Sequence, residues 1–478
     1  MKMKKLPLLI GLALLVAAVV LSVYAAGAQG SLGELLTRMD AAQAAEGDKK
    51  MKKARDRVLD ALAEGDRVKT LRSLDRYTEG FADKLDLSGQ NAAALFFYKN
   101  GPSMLALAAL LCASALAFFC SAFEKLSRYR MAAVYLVLAA ALFAGVYILE
   151  NIAGSDSMLL TALKKGAIYA LIAVSMNLLN GFTGLFSLGQ AGFMLVGAYT
   201  YAIFTIPLES RAQVYQYYDG GLIGFTLPVI PALLLAGLAA AFFAFLIGLP
   251  VLRLKSDYLA IATLGFAEII RALFQYDGLG PLTNGSNLLR RFPTFSSVLF
   301  PFIASGVCIL LIALLINSTY GRSFKAIRDD EVAAEAMGIN LFRHKQMSFV
   351  ISSFFAGVGG ALLAMYQTTV QASAFKASMT YEILLIVVIG GMGSITGSVL
   401  TSFLFIAASE WWLRFLDNEV VIGGVALPFM RSGFRMVVFS IVIMVMVLFY
   451  RRGIMGDKEF NLKALFAPRV RKGGKSRG

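Results

Sequence analysis

Long apolar runs recur along most of this chain, separated by short polar or charged turns. Most runs hold about 20 residues, enough for a helix rising 1.5 Å per residue to cross a hydrocarbon core of roughly 30 Å. These runs are continuously apolar and do not alternate with polar residues, which excludes an outer-membrane β-barrel. The predicted crossings are residues 6–26, 103–123, 131–149, 158–180, 186–206, 228–252, 258–275, 299–317, 347–366 and 433–450.

This pattern predicts an all-α polytopic membrane protein with about ten membrane-spanning or re-entrant helical segments. A helical extramembrane insert near the N-terminus is expected because residues 30–100 are rich in charge and repeat apolar residues at helical spacing. Long segments are translocated despite their charge, so we place this insert on the periplasmic side. The predicted parts are an N-terminal signal-anchor (1–29), the insert (30–100), two accessory transmembrane helices (101–150), the main transmembrane domain (151–455) and a basic cytoplasmic tail (456–478).

The apolar segment 380–410 is interrupted by a glycine cluster, Gly390, Gly391, Gly393 and Gly397. A single crossing here would place a tail with nine basic and two acidic residues outside, against the rule that basic segments stay in the cytoplasm. Glycine weakens a helix by about 1 kcal/mol relative to alanine. We therefore predict a broken helix that dips in and returns, with the cluster lining the interior near a translocation route. Close helix packing through small residues is an equally open interpretation.

The segment Asn180–Gly197 has the same composition, with five glycines among polar residues. It also predicts a broken or re-entrant element. Two glycine-interrupted segments in different halves of a chain are typical of the working region of a transporter.

A charged segment, Gly321–Lys345, lies between two apolar runs and holds five basic and four acidic residues. Such a segment cannot lie in hydrocarbon, so it protrudes. Its apolar positions recur at helical spacing, which predicts short amphipathic helices that form a docking surface. A solvated connecting loop is the alternative. The apolar positions are Phe324, Ile327, Val332, Ala336 and Ile339.

The composition offers little for catalysis. The three cysteines lie inside apolar runs without metal-ligand or redox spacing, and His344 is the single histidine. This residue set argues against a hydrolytic or metal-dependent enzyme. The net charge of +15 is concentrated in short loops and the tail, and anionic lipid headgroups beside the crossings explain it without nucleic acid.

Four stretches of the chain resemble the permease subunits of bacterial branched-chain amino-acid ABC transporters. The second of them is similar to the LivM-type member of the permease pair rather than the LivH-type. The resemblance covers roughly residues 155–455, with all four stretches in the family's order. The stretches are ALIAVSMNLLNGFTGLFSLGQAGFMLVGAYTYAI (170–203), LRLKSDYLAIATLGFAEIIRALF (252–274), AIRDDEVAAEAMGIN (326–340) and YEILLIVVIGGMGSITGSVL (381–400).

The resemblance implies a multi-pass importer subunit in the bacterial inner membrane. The implied partners are a second permease subunit of similar fold, two cytoplasmic ABC ATPase subunits and a periplasmic substrate-binding protein. ATP would be bound by the partners, with no cofactor on this chain. In agreement, Gly474-Lys475-Ser476 lacks the first glycine of a phosphate-binding loop, since Arg469 stands there.

The family places its ATPase-coupling helix in the loop that matches the charged segment. The permease signature Glu-Ala-Ala-x-x-x-Gly reads here Val332-Ala333-Ala334-x-x-x-Gly338, so the leading glutamate is absent. The coupling-loop residues implied by the resemblance are Arg328, Asp329, Glu331, Ala333, Ala334, Glu335 and Gly338.

Polar and glycine residues inside the predicted crossings are candidates for the translocation path. Glu268 is one, although Arg271 three residues on favours a structural ion pair. Glu382 opens the second glycine-rich segment, where an interfacial or pairing role is the alternative. At Gln190 relatives often carry histidine. The full set is Asn177, Gly184, Gln190, Glu268, Glu382, Gly391 and Gly393.

Three function classes fit these observations to different degrees. An ABC importer permease for branched-chain amino acids accounts for the charged docking segment. A secondary transporter or channel would share the broken helices but needs no ordered docking helix. A membrane-embedded enzyme is disfavoured by the absence of a nucleophile–base set in the sequence. Relatives that carry urea or short-chain amides share the four stretches, so those solutes remain alternatives.

Overall fold

The structure is a computed structural model, and it divides the chain into two compact units, residues 1–154 and 155–478. The predicted signal-anchor, most of the two accessory crossings, the crossing at 433–450 and most of the basic tail lie outside the residues that it describes. The described residues are 32–41, 49–63, 67–85, 143–148, 158–218, 221–253, 256–295, 297–412 and 453–456, with isolated positions at 17, 87, 91, 95, 98, 421–422, 425–426 and 444.

Residues 32–80 of the first unit form the amphipathic helices α1 (Leu32–Ala41), α2 (Lys49–Ala63) and α3 (Arg67–Gly80). They bury a small apolar core to which Leu36, Val58 and Leu74 contribute, each with no exposed surface. Burial of one face and exposure of the basic residues on the other explain why a highly charged segment folds. The helical character predicted for the insert is therefore confirmed.

The described part of the second unit is a helical assembly with four very short strands. In chain order it contains α4 (Met158–Asn177), a π-helical turn (Leu178–Phe182), α5 (Gln190–Thr205), α6 (Leu208–Val214), α7 (Val229–Val251), α8 (Ser256–Gln275), a 3₁₀ turn (Asp277–Leu279), α9 (Gly280–Thr283), β1 (Leu289–Arg290), α10 (Leu299–Asn317), α11 (Thr319–Asp329), α12 (Glu331–Ala336), α13 (Leu341–Gln367), β2 (Thr369–Val370), a 3₁₀ turn (Ala372–Ala374), α14 (Ala377–Gly390), α15 (Ile395–Ala407), a second π-helical turn (Ala408–Trp412), β3 (Val421–Ile422) and β4 (Val425–Ala426).

Five helices of the described chain are long and apolar enough to cross a membrane: Leu160–Phe182, Val229–Val251, Tyr258–Gln275, Leu299–Asn317 and Leu341–Gln367. The first and last are central, since 83% and 78% of their apolar windows are buried, against 39%, 28% and 22% for the other three. The all-α polytopic membrane fold is thus confirmed. The peripheral helices present large apolar side chains outward, as lipid-facing helices do.

Small residues allow α5, α7 and α13 to pack backbone against backbone. A Cβ atom on Gly197 of α5 would lie 2.0 Å from the carbonyl oxygen of Gly357 in α13. One on Gly360 would lie 2.1 Å from the carbonyl oxygen of Met194, and one on Gly357 would lie 2.5 Å from the Cβ of Ala240 in α7. In a membrane, where lipid competes for apolar side chains, such close approach is the main source of helix association.

The two ends of the second unit can be distinguished by their connections. One end carries α11 and α12, and it is called the elbow end below. At the other end β1 pairs antiparallel with β2, Leu289 opposite Val370. There the buried Arg211 donates to the carbonyl oxygens of Ile206 (3.2 Å) and Phe225 (2.7 Å), satisfying groups at the end of α5.

The segment 380–410 is broken at the glycine cluster, as predicted, and it forms a helical hairpin. Helix α14 enters after β2, at the end opposite the elbow, and ends at Gly390. Helix α15 then runs antiparallel to α4. A Cβ on Gly166 would lie 2.7 Å from the ring of Phe403, and Lys165 pairs with Glu410 at 2.5 Å. With 14 residues α14 is about 21 Å long, less than a full crossing. The segment therefore enters from the end opposite the elbow, bends at the glycine cluster and returns along α4.

Candidate functional site

The charged segment forms two short helices, α11 and α12, that project from the end of α10. Phe324 and Ile327 of α11 are buried against the helical core. Asp330 separates the two helices and caps the second. Its Oδ1 accepts from the backbone N–H groups of Val332 (2.9 Å) and Ala333 (3.1 Å), the first residues of α12 that need such a partner. The prediction that the charged segment forms short amphipathic helices is confirmed.

The apolar positions of the segment do not share one buried face. Val332 is 78% exposed and Ala336 is also exposed, because the new cap at Asp330 rotates α12 relative to α11. Met337, 83% exposed, lies beside them. The result is an apolar tip, formed by Val332, Ala333, Ala336 and Met337, on an otherwise charged elbow.

The predicted coupling-loop residues lie on or beside this tip. Ala334 is the one buried member, and Arg328, Asp329, Glu331, Ala333, Glu335 and Gly338 are exposed. Glu331 accepts a hydrogen bond from the Lys345 ammonium at 2.6 Å, which ties α12 to the first turn of α13. Gly338 has φ +85° with open space around it, so it allows the chain to turn without any packing demand.

The elbow rests directly on the π-helical turn that ends α4. Arg328 Nη1 donates to the carbonyl oxygen of Gly181 at 3.3 Å. The Lys325 ammonium lies 5.6 Å from the centre of the Phe182 ring, a cation–π distance. Gly184, a predicted path residue, has φ +77°, and a Cβ there would lie 3.0 Å from Cγ of Arg328. Gly184 therefore belongs to the contact surface of the elbow.

The glycine bend between α14 and α15 is held by one buried side chain, Asn177 at the end of α4. Its Nδ2 lies 2.9 Å from the carbonyl oxygen of Ser394 and 2.8 Å from Oγ of Ser398. Its Oδ1 accepts from the N–H of Gly393 at 2.9 Å. Asn177 has no exposed surface. Asn177 thus joins α4 to the bend by hydrogen bonds, and Gly391 and Gly393 are part of the backbone that it contacts.

The other side of the bend is covered by the segment Gly453–Gly456. The N–H of Ile454 donates to the carbonyl oxygen of Ile389 at 2.7 Å, and that of Met455 to Gly390 at 3.2 Å. These bonds satisfy carbonyl groups that the end of α14 leaves open. The chain that leads into the basic tail therefore lies at the same end of the unit as the bend and the elbow.

Gln190 is buried in a polar row rather than open to a channel. Its Nε2 donates to Oγ of Ser175 at 2.7 Å, and Ser352 Oγ donates to the carbonyl oxygen of Ser175 at 2.6 Å. The next residue, Ala191, donates its N–H to Oγ1 of Thr380 at 3.1 Å. This row joins α4, α5, α13 and α14 close to the bend.

The two carboxylates among the predicted path residues lie away from the bend. Glu268 accepts from Arg271 at 2.6 and 2.7 Å on a partly exposed face of α8, so the ion pair considered from the sequence is present. Glu382 is half-buried in the first turns of α14. The structure thus brings together Asn177, Gly184, Gly391 and Gly393, with Gln190 near them, and places Glu268 and Glu382 elsewhere.

Three contributors to this site are absent from the predicted set. Gly181 lies between elbow and bend, since a Cβ there would lie 1.8 Å from Oδ1 of Asn177 and 2.5 Å from the nitrogen of Gly393. Ser394 and Ser398 supply acceptors to Asn177. A signal was present in the sequence, because serines in the glycine-rich GSITGS stretch can satisfy freed backbone groups of a broken membrane helix.

A profile of the family described as branched-chain amino acid transport system, permease component, matches residues 158–450. The chain belongs to this permease family. The matched residues contain the elbow, the π-helical turn that ends α4 and the bend, while the covering segment Gly453–Gly456 lies just beyond them.

Curated relatives carry the same description. The high-affinity branched-chain amino acid transport system permease protein LivM of Escherichia coli (strain K12) is 32% identical over 54% of this permease and 64% of LivM. A probable LivM of Methanocaldococcus jannaschii is 24% identical over 61% of this permease and 91% of the relative. LivH of Escherichia coli is 22% identical over 53% and 84%. The match spans 64% of the length of Escherichia coli LivM. No solved structure matches.

Proposed function

We propose that this chain is the transmembrane permease subunit of an ABC importer that moves branched-chain amino acids across a bacterial inner membrane, with ATP hydrolysed by separate subunits. Membership of the permease family and the names of the LivM and LivH relatives support the solute class. The presence of both LivM and LivH among the relatives supports a pair of permease subunits. The chain itself would catalyse no reaction.

One observation favours this proposal over a secondary transporter or channel. The elbow exposes an apolar tip, with Val332 and Met337 78% and 83% exposed, on helices whose other face is fixed in the core by Phe324 and Ile327. Exposed apolar side chains on a short, rigid, charged element are typical of a helix that docks in a partner's groove. A carrier that works without an ATPase has no use for such an element.

The proposed assembly follows from this geometry. Two cytoplasmic ABC ATPase subunits would receive the tips of two permease subunits, and a periplasmic substrate-binding protein would deliver the solute to the opposite end. The acidic flanks of the tip, Asp329, Glu331 and Glu335, would set the register of docking, whereas the Arg328 guanidinium contacts the turn inside this chain. Of the candidate path residues, Asn177, Gly391 and Gly393 would shape the gate, while Glu268 and Glu382 would lie towards its margins.

Substitution of the tip is expected to release the ATPase. In the Val332→Asp and Met337→Asp double variant we expect copurified ATPase to fall by at least about tenfold, since central apolar anchors each contribute about 2 kcal/mol to an interface. Both side chains are exposed, so the permease itself should fold normally. The measurement is purification of the tagged chain from its natural host in mild detergent, followed by quantification of bound ATPase and of ATP hydrolysis.

The matched control is Leu222→Asp, since Leu222 is 76% exposed at the end opposite the elbow. This variant should retain the parental amount of ATPase. Copurification and uptake of labelled leucine that both survive the double substitution would exclude the docking assignment. Leucine uptake without any ATPase would favour a secondary transporter, and uptake of labelled urea but not leucine would shift the proposal to the amide-transporting relatives.

A further inference from the structure

We propose that Asn177 and Arg328 are positioning residues that connect the elbow mechanically to the glycine bend, through the π-helical turn Leu178–Phe182. This inference rests on the proposed function, because it supposes that ATPase subunits move the elbow. It adds to that function a specific route from the docking surface to the gate.

The first step of the route is the contact between elbow and turn. Arg328 Nη1 donates to the carbonyl oxygen of Gly181, while its Nε and Nη2 donate to Oδ1 of Asp329 at 3.0 and 2.9 Å. Asp329 therefore fixes the guanidinium in the orientation that reaches the turn. Lys325 adds the cation–π contact with Phe182, so α11 is attached to the turn at two points.

The second step is the contact between turn and bend. A Cβ on Gly181 would overlap both Oδ1 of Asn177 and the nitrogen of Gly393, at 1.8 and 2.5 Å. Gly181 thus lies against both partners of the Asn177–Gly393 hydrogen bond, and a shift of the turn cannot occur without moving them. Packed backbone of this kind transmits displacement, because protein interiors are close-packed and hardly compressible.

The third step is the hold of Asn177 on the bend. Both ends of its amide are used, with Oδ1 accepting from Gly393 and Nδ2 donating to Ser394 and Ser398. One fully buried side chain therefore fixes the last turn of α4 to the bend and to the first turns of α15. Two of the residues in the bend are glycines with positive φ, Gly391 at +113° and Gly393 at +93°, so the bend has few side chains of its own to hold it.

A π-helical turn suits this intermediate position. The turn interrupts the α-helical hydrogen-bond ladder between Asn177 and Thr183, and such interruptions are frequent at functional sites. All five of its residues are buried. The turn is therefore a packed element, enclosed between elbow and bend, whose hydrogen-bond pattern can change without unfolding α4.

The test follows movement of the bend by chemical labelling and needs no transported solute. Met392, 47% exposed in the bend, is replaced by cysteine in a chain whose three native cysteines are changed to alanine. The complex is purified with its ATPase subunits and treated with a maleimide, with and without ATP and vanadate. This cysteine-labelled chain is the parent. Trapping the nucleotide should change its labelling rate by at least about fivefold, because losing one buried hydrogen bond shifts an equilibrium by about that factor.

Variants of the two positioning residues are compared with a buried polar residue outside the route. Asn177→Ser and Arg328→Met should each reduce the nucleotide-dependent change to less than about twofold while ATPase still copurifies. Thr205→Ala is the control, because the buried Thr205 lies at the end of α5 opposite the elbow and donates to the carbonyl oxygen of Tyr201 in its own helix at 2.7 Å. This control should keep the full parental change. Arg328 is exposed, so its variant avoids the risk that Asn177→Ser misfolds.

The outcomes separate the route from the proposed function. A parental change in labelling that persists in both variants, with ATPase bound, would overturn the route and leave the importer assignment intact. A parent that carries ATPase but whose bend labels equally with and without trapped nucleotide would also overturn it. A parent that purifies without any ATPase would overturn the proposed function itself, and the route with it.

Discussion

Replacing Gly197 by leucine is expected to remove almost all folded protein from the membrane. The Cα of Gly197 in α5 faces the backbone of Gly357 in α13 so closely that a Cβ would lie 2.0 Å from its carbonyl oxygen and 2.5 Å from its Cα. Backbone atoms cannot turn aside as a side chain can. The helices would have to separate along their length, at a cost of about 3 kcal/mol or more in the free energy of unfolding.

The measurement is the yield of monodisperse protein after detergent extraction, together with its thermal unfolding. The matched control is Gly306→Leu on α10, where no atom lies within 4 Å of the added Cβ. This control should give the parental yield, since an additional leucine there meets only open space and glycine is a poor helix former. Equal yields for both variants would show that α5 and α13 do not pack as described.

Replacing Gly391 by alanine is expected to disable the bend while the rest of the chain folds. Gly391 has φ +113° and ψ +119°, outside the left-handed region near φ +60° that Asn284, Arg291 and Thr368 occupy in this chain. A Cβ would also lie 2.6 Å from the carbonyl oxygen of Gly456. Backbone strain of about 1–3 kcal/mol would thus be added to the loss of the covering segment.

We expect uptake of labelled leucine to fall at least tenfold in Gly391→Ala, a loss of about 1.4 kcal/mol or more. Copurified ATPase should be unchanged, because the added Cβ meets Gly456 and not the elbow. Gly221→Ala is the control. Gly221 also has positive φ, +82°, but it lies at the end opposite the elbow and its nearest neighbour is the Tyr215 side chain at 3.2 Å. Normal uptake in Gly391→Ala would mean that the bend tolerates the strain and has no part in the gate.

Both glycines were visible in the sequence, but their roles were not. Gly197 and Gly391 occur in similar glycine-rich segments, and the sequence left helix packing and helix breaking open for the second of them. In the structure Gly197 is a packing residue inside a continuous helix, whereas Gly391 ends a helix. The difference depends on which backbone faces each glycine, and no local pattern contains that information.

Two ion pairs also show which contacts the sequence can predict and which it cannot. Glu268 and Arg271 are three residues apart, so helical geometry alone suggested their pairing, and they do pair. Lys165 lies in an apolar run and has no carboxylate within a helical turn of it in the sequence. The carboxylate that pairs with it belongs to Glu410, 245 residues away. A short-range period can predict the first pair, but only the antiparallel packing of α4 and α15 creates the second.

The sequence by itself determined where the described chain crosses the membrane, where the helices break and that an ordered charged elbow projects between two crossings. These features follow from hydropathy, helical periodicity and glycine content, which act over a few turns of one helix. The tertiary structure decided that α15 returns along α4, that Asn177 holds the bend and that Gly181 lies between Arg328 and Gly393. These contacts join residues more than 140 positions apart. They depend on helix packing, which close fit and hydrogen bonding determine once the crossings have formed.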